Sequence, residues 1–412
     1  MHVLFVHQNF PAQFGHIADY LSRHHGFQCT FVSQKEPGRH NAVERIQYHL
    51  KGGATERNHY CSRTFENTVW HAHGVYEALK ARPDLRPDLI VGHSGFGSTL
   101  FLRELYDGVP LINYFEYFYR VRNSDMDFRP DFPSTELNRL RARARNAMLL
   151  LDLDHCDVGY SPTAWQRDRL PAEYRDKVRV IFDGVDTAVW KPDPAAVAPD
   201  GTRRLGGLTF PPGTRVVTYA TRGMESMRGF DIFMKMAKRL ADRRPDVQFV
   251  VAGQDRVCYG GDAAVTGGKS FKEWVLSRDD YDLSRFHFVG LLPPPQLAHL
   301  FAITDLHVYL TVPFVLSWSL LNALACGATV LASDTAPVRE IVTDGENGLL
   351  ADFFDVEGFA ERAGRVLDDP AAFRPLGERG AAMVRSDYSL DVCLPRMLAL
   401  YEEVTRRGTA AG

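Results

Sequence analysis

Paired cysteines are the first thing this sequence lacks. Its six cysteines (Cys29, Cys61, Cys156, Cys258, Cys326 and Cys393) are scattered, with no C-x-x-C pair. That spacing excludes a disulfide scaffold or a thiolate metal knuckle, and it suits the reduced thiols of a cytoplasmic protein. There is also no excess of charge of one sign. Lys and Arg total 48 against 51 Asp and Glu, a net charge of −3. A nucleic-acid partner is therefore not expected, because a polyanion binder carries a marked basic surplus. No apolar run approaches the roughly 20 residues needed to span a bilayer, so any membrane contact is expected to be peripheral. The start, MHVLFVHQNFP, has neither the basic residues nor the long apolar core of a leader and reads as a buried strand entering a loop. Fifteen histidines form no metal-binding set. His71 and His73 come close in HAH, but on a helix they point to different faces.

What is present is an alternation of short apolar strands and amphipathic helices over 412 residues, a length that calls for two domains. The first series runs through HVLFVH (2–7), QCTFVS (28–33), DLIVGH (88–93), PLINYF (110–115), HCDVGYS (155–161) and VRVIFDGVD (178–186). The second runs through TRVVTYATRG (214–223), VQFVVAGQD (247–255), RFHFVGLL (285–292), DLHVYLT (305–311) and ATVLASD (328–334). This is the pattern of an α/β protein with two Rossmann-like parallel-sheet domains and a cleft between them. The expected domains are 1–188 and 189–387, with a C-terminal helix of about 388–412 packing back on the first. Residues 190–207, rich in Pro, Ala and Gly, read as the linker. In such sheets ligands bind beyond the C-terminal ends of the strands, so the loops there hold the candidate chemistry.

Three sets of loops stand out. In YATRGMESMRGF a strand is expected to end at about Ala220 and a helix to begin near Gly229, which places Arg222 and Arg228 beside a helix N-terminus. Guanidinium groups and backbone N–H donors there suit a diphosphate, although two solvated arginines would read the same way. In LTVPFVLSWSLLNALAC a strand leads to a helix from about Ser319 to Cys326, a second phosphate cradle. In the first domain, HQNFPAQFGHI follows the first strand, and His93 and Glu116 end later strands as candidates for contact with a sugar or acceptor hydroxyl. Arg139, Arg141, Arg143 and Arg145 spread over more than one face of a helix, which is expected to be solvated, the alternative being an anionic membrane or acceptor surface. FEYFYR is expected to pack in the core.

The segments VIFDGVDTAVWKP, the Arg222/Arg228 loop, VVAGQD, FVGLLPPPQLAHLFAITDLHVYLT and NALACGATVLASDTAPVREIVTDGENGLLAD together resemble the retaining family 4 glycosyltransferases of the GT-B fold. The resemblance covers residues 180 to 352 in order and spacing, and the first domain more loosely. It implies that Arg222 and Arg228 bind the diphosphate of a nucleotide-sugar donor, GDP- or UDP-linked among the choices. It implies that Leu316, Ser317, Trp318 and Ser319 approach the sugar and diphosphate. Phe314 and Asn322 fall where the family carries two glutamates, and Asn322 can still reach a ribose hydroxyl. Gly253, in VVAGQD, joins this donor-side set. Glu116 falls where the family has a histidine, and the first loop, with Asn9, Ala12, Gln13 and Gly15, lies near donor or acceptor. The chemistry implied is retaining, free of any metal or cofactor, with small-molecule donor and acceptor and a possible homodimer. The replaced glutamates suggest an unusual donor, and antibiotic or other specialised-metabolite assembly is one expectation, including a thiol acceptor as in lincosamide-type S-glycosyltransferases. The alternatives are a cell-surface polysaccharide glycosyltransferase, a GT-B phosphorylase or epimerase, and a nucleotide-binding protein that has lost catalysis.

Overall fold

The computed structural model describes residues 1–411, with side chains described as far as Arg406. Contacts divide the chain into two compact units. The first comprises Met1–Arg122, Ser134–Gly184 and the chain from Asp391 onward; the second comprises Asn123–Pro133 and Val185–Leu390.

The first unit is built on eight strands: β1 (His2–Val6), β2 (Gln28–Ser33), β3 (Gly38–His40), β4 (Val43–Gln47), β5 (Leu89–His93), β6 (Leu111–Tyr114), β7 (Val158–Ser161) and β8 (Val178–Val180). Their order is β3-β4-β2-β1-β5-β6-β7-β8, and every pairing is parallel except β3 with β4. The central strands are buried on both faces, which is why they read as unbroken apolar runs. β3 and β4 escape that pattern: β3 (GRH) is an exposed edge strand, and β4 (VERIQ), paired between β3 and β2, carries the half-buried Glu44, Arg45 and Gln47 beside its apolar residues. The final helix, Leu390–Ala411, closes the unit. Its Tyr401 is fully buried with its ring centroid 6.3 Å from that of Phe5. Gly412, at the end of the helix as expected from the sequence, lies outside the described residues.

The second unit carries β11 (Arg215–Gly223), β12 (Val247–Gln254), β13 (Phe286–Gly290), β14 (Leu306–Tyr309), β15 (Val330–Ser333) and β16 (Leu349–Ala351) in the order β13-β12-β11-β14-β15-β16, all parallel. Two shorter strands precede them, β9 (Arg203–Leu205) and β10 (Leu208–Phe210), paired as an antiparallel hairpin. The hairpin corrects the linker reading of 190–207. Arg203 forms an ion pair with the buried Asp305, which also accepts from the Val216 N–H, so this Gly- and Pro-rich stretch is fastened to the sheet. Composition showed the turns but not the ion pair that fixes them.

Candidate functional site

In the second unit β12 and β14 flank β11, and the helices that follow β11 and β14 lead to opposite sides of the sheet order. This is the topological switch point, where an open parallel sheet offers its ligand crevice. The loops leaving β11 and β14 hold the two sequence-predicted donor segments. Both loops begin later or earlier than expected. β11 runs to Gly223, with a register shift between Ala220 and Gly223, so Arg222 belongs to the end of the strand and is exposed. A 3-10 turn, Ser226–Arg228, comes next, and the helix starts at Phe230 rather than Gly229. Gly229 takes φ +63°, and a Cβ there would sit 2.8 Å from the Leu310 Cβ, so this corner requires glycine.

Arg228 is only 5% exposed. Its Nη1 donates to Thr311 Oγ1 at 2.8 Å, and the guanidinium lies 5.2 Å from the Tyr259 ring and 5.8 Å from the Phe314 ring. Its carbonyl accepts from the Tyr219 hydroxyl at 2.7 Å. The loop after β11 is thereby joined to the start of the loop after β14. Phe314, in place of the expected glutamate, becomes part of an aromatic wall around this cation, and its ring lies 5.5 Å from Tyr259.

The β14 side is similarly built. Tyr309 Oη accepts from the Ser317 N–H at 2.9 Å, and Ser317 caps the following helix by accepting from the Ser319 N–H. That helix spans Trp318–Ala325, one residue earlier at each end than expected. Leu316 is buried, Trp318 exposed and Asn322 half-buried on the first turns. Gly253 lies in β12 with φ +150°, and a Cβ there would meet the Thr221 carbonyl at 2.6 Å, so this close approach to β11 requires glycine.

Several residues essential to this geometry have no signal in the sequence. Glu225 is fully buried and its Oε2 accepts from the N–H groups of Cys258 (2.6 Å) and Tyr259 (2.8 Å), tying the loop after β12 to the arginine loop. Burial pushes its carboxyl above the ordinary range, and the Tyr259 and Cys258 N–H groups pull it back. Ser226 donates its N–H and hydroxyl to Asp262. Arg129, from the segment Asn123–Pro133, donates to the Ser226 carbonyl at 3.0 Å and to both carboxylate oxygens of the buried Asp231. It also lies 4.6 Å from the ring of Phe132 and 5.3 Å from that of Phe353.

In the first unit the switch point lies between β1 and β5, and His7 and His93 meet there edge to face with ring centroids 5.0 Å apart. His93 is buried, its Nδ1 hydrogen-bonded to the Ser94 carbonyl and its Nε2 3.7 Å from Glu116 Oε2. Burial, with the neighbouring His7, holds His93 well below the usual imidazole range, while burial takes His7 to about 4. Both rings are therefore neutral near pH 7. Asn9 donates its N–H to His7 Nδ1, Ala12 adopts φ +45°, and Gly15 begins the helix Gly15–His24 with no room for a Cβ beside Pro11. Gln13 is half-buried in the same loop. The aromatic FEYFYR segment is largely core, with Phe115, Tyr117 and Phe118 buried.

Comparison with known proteins agrees with this architecture. The profile described as Glycosyl transferase family 4 group matches residues 25–190, and that described as Glycosyl transferases group 1 matches residues 207–383. A D-inositol 3-phosphate glycosyltransferase of Corynebacterium jeikeium is 25% identical over 56% of this chain and 53% of its own length. That of Pseudarthrobacter chlorophenolicus is 28% identical over 76% of this chain and 70% of its own. Across the first curated relatives the chain spans only about half to two thirds of their length. A sucrose-phosphate synthase structure from Thermosynechococcus elongatus superposes with a TM-score of 0.72 at 19% identity, covering 100% of this chain and 99% of that one. With two parallel-sheet units, a family 4 match on the first half and a group 1 match on the second, the chain belongs to the family 4 glycosyltransferases of the GT-B fold.

Proposed function

We propose that the chain transfers a sugar from a nucleoside-diphosphate donor, UDP- or GDP-linked, with retention of anomeric configuration, to a phosphorylated polyol or sugar. The observation that carries the donor half is the arginine pair at the switch point, Arg222 at the end of β11 and Arg228 locked to Thr311. Arg228, against Phe314 in the loop that leads to the capped N-terminus of Trp318–Ala325, and Arg222 at the end of β11 are proposed to meet the charge that develops on the leaving diphosphate. The acceptor oxygen forms its bond to the anomeric carbon on the face from which the diphosphate departs. The carbon–phosphate oxygen bond breaks, and the acceptor proton passes to the departing diphosphate. On this reading positive side chains take the role of a divalent cation, and chelators leave the rate unchanged.

The acceptor class rests on the phosphorylated acceptor and product names of the inositol and sucrose relatives. They draw the reading away from antibiotic assembly and thiol acceptors. His93 and Glu116 are proposed to face the sugar or acceptor, with neutral His93 as a hydrogen-bonding group. Phe314 and Asn322 favour a second reading, a nucleotide-binding protein without transfer. A thermal-shift screen of UDP, GDP, ADP and TDP, followed by donor–acceptor assays with inositol and hexose phosphates, separates the two. Nucleotide stabilisation with no transfer across the panel selects the second reading, and no stabilisation by any nucleotide overturns both.

A further inference from the structure

The helix Glu136–His155 carries an apolar stripe on its solvent side. Leu137, Leu140, Ala144, Ala147 and Leu151 recur at alternating three- and four-residue spacing, and Leu137, Leu140 and Leu151 are 44%, 57% and 41% exposed. Of the thirteen exposed large apolar side chains among the described residues, four (these three and Leu150) stand on this one helix. Its opposite side is ordinary core, with Met148, Leu149 and Leu153 buried and the helix Arg63–Lys80 packed against it.

The arginines of the helix divide in the same way. Arg141 turns onto Tyr60 and Arg145 onto Tyr119, with guanidinium-to-ring distances of 4.9 Å and 3.8 Å. Arg139 and Arg143 are exposed along the flank of the stripe. Arg143 adjoins a basic cluster. Arg120 donates to the Arg169 carbonyl at 2.9 Å, and burial, then the charges of Arg169, Arg175 and Arg143, holds its guanidinium below its ordinary pKa. Acidic groups stand among them, and Asp176 is exposed beside Arg175. Glu136 and Asp154 stand exposed near the two ends of the helix, Glu173 offsets part of the Arg120 cluster, and Asp168 is paired with Arg167.

We infer that this face docks on an anionic lipid surface, the leucine stripe entering the headgroup–acyl boundary and Arg139, Arg143 and the Arg120–Arg169–Arg175 cluster meeting the lipid phosphates. An apolar stripe bordered by arginines matches that interface in both polarity and charge. The inference is independent of the donor reading, since none of these residues belongs to the nucleotide site.

Flotation of the full chain with phosphatidylcholine vesicles, with and without phosphatidylglycerol, tests it. Binding is expected only to the anionic vesicles and to weaken as salt rises. The double variant Arg139→Glu/Arg143→Glu should lose roughly tenfold or more in vesicle affinity. Leu140→Glu with Leu151→Glu should abolish binding, with an unchanged unfolding midpoint as the control for folding. Equal binding to neutral vesicles, or full binding by the charge-reversed variant, overturns the inference. So does a dimer in sedimentation velocity that Leu140→Glu dissolves while the parent ignores vesicles, which would give the face to a second copy.

Discussion

Arg228 shows how little a residue type reveals before its neighbours are known. From the sequence it is one of two loop arginines; in the fold it is buried, bonded to Thr311 and walled by Tyr259 and Phe314. A charge-assisted contact to a phosphate contributes about 1.5–3 kcal/mol, so Arg228→Ala should weaken nucleoside-diphosphate binding by roughly 10–100-fold in calorimetry. Arg222→Ala should abolish measurable binding of the same ligand, and undiminished affinity would sink the proposed clamp. Arg129 is the residue the sequence concealed most completely. Nothing in FRPDFP marks an arginine that reaches Asp231, about a hundred residues on, and seals the carbonyl of Ser226. Arg129→Met strands the buried Asp231 carboxylate and should cost about 3–5 kcal/mol in urea denaturation, whereas an exposed arginine would cost almost nothing.

Elements were legible where an apolar run marked them and obscure where the segment was short or polar. β2 falls where its apolar run predicts, residue for residue, while β3, β4, β9, β10 and β16 were missed: the first four are short and carry polar residues, and the buried β16 is only three residues long, so none leaves a periodic apolar signal. Helix starts shifted by a single residue because Gly229 and Ser317 take the N-cap positions, so the helices begin at Phe230 and Trp318 rather than at Gly229 and Ser319. The loop that follows β5 adds a titration. Asp152, on the helix Glu136–His155, accepts from the Ser94 hydroxyl and the Gly95 N–H, and burial raises its carboxyl to about 6. A carboxyl with a raised folded pKa favours folding most below its unfolded pKa near 4, and that contribution is lost as pH rises to about 6. Asp152→Asn removes the ionisation. Its stability relative to the parent should therefore increase between pH 4 and 6, by about 2–3 kcal/mol, and stay level above. A constant difference across that range, measured by urea midpoints, would show that Asp152 does not titrate there.

At the scale of the whole molecule the two units are each assembled from distant stretches of chain, and the last helix is the plainest case. Cys393, Leu394, Met397, Leu400, Tyr401 and Val404 are buried in it, and Tyr401 lies against Phe5 near the other end of the sequence. At about 1.5–3 kcal/mol for each large apolar side chain, that burial rivals the entire stability of a domain. Truncation after Leu390 should leave the first unit open to limited proteolysis while the second still shifts its melting temperature with nucleotide; protection of both units would contradict this. The sequence alone determined the architecture, because a parallel sheet covered by helices requires alternating apolar runs, and those are local and countable. It also placed the candidate donor loops, because they follow the strands. Only the tertiary structure decided which side chains surround the candidate site. Glu225, Arg129, Thr311 and Asp262 act through partners that folding brings from afar, and hydrogen bonds across such distances leave no pattern along the chain.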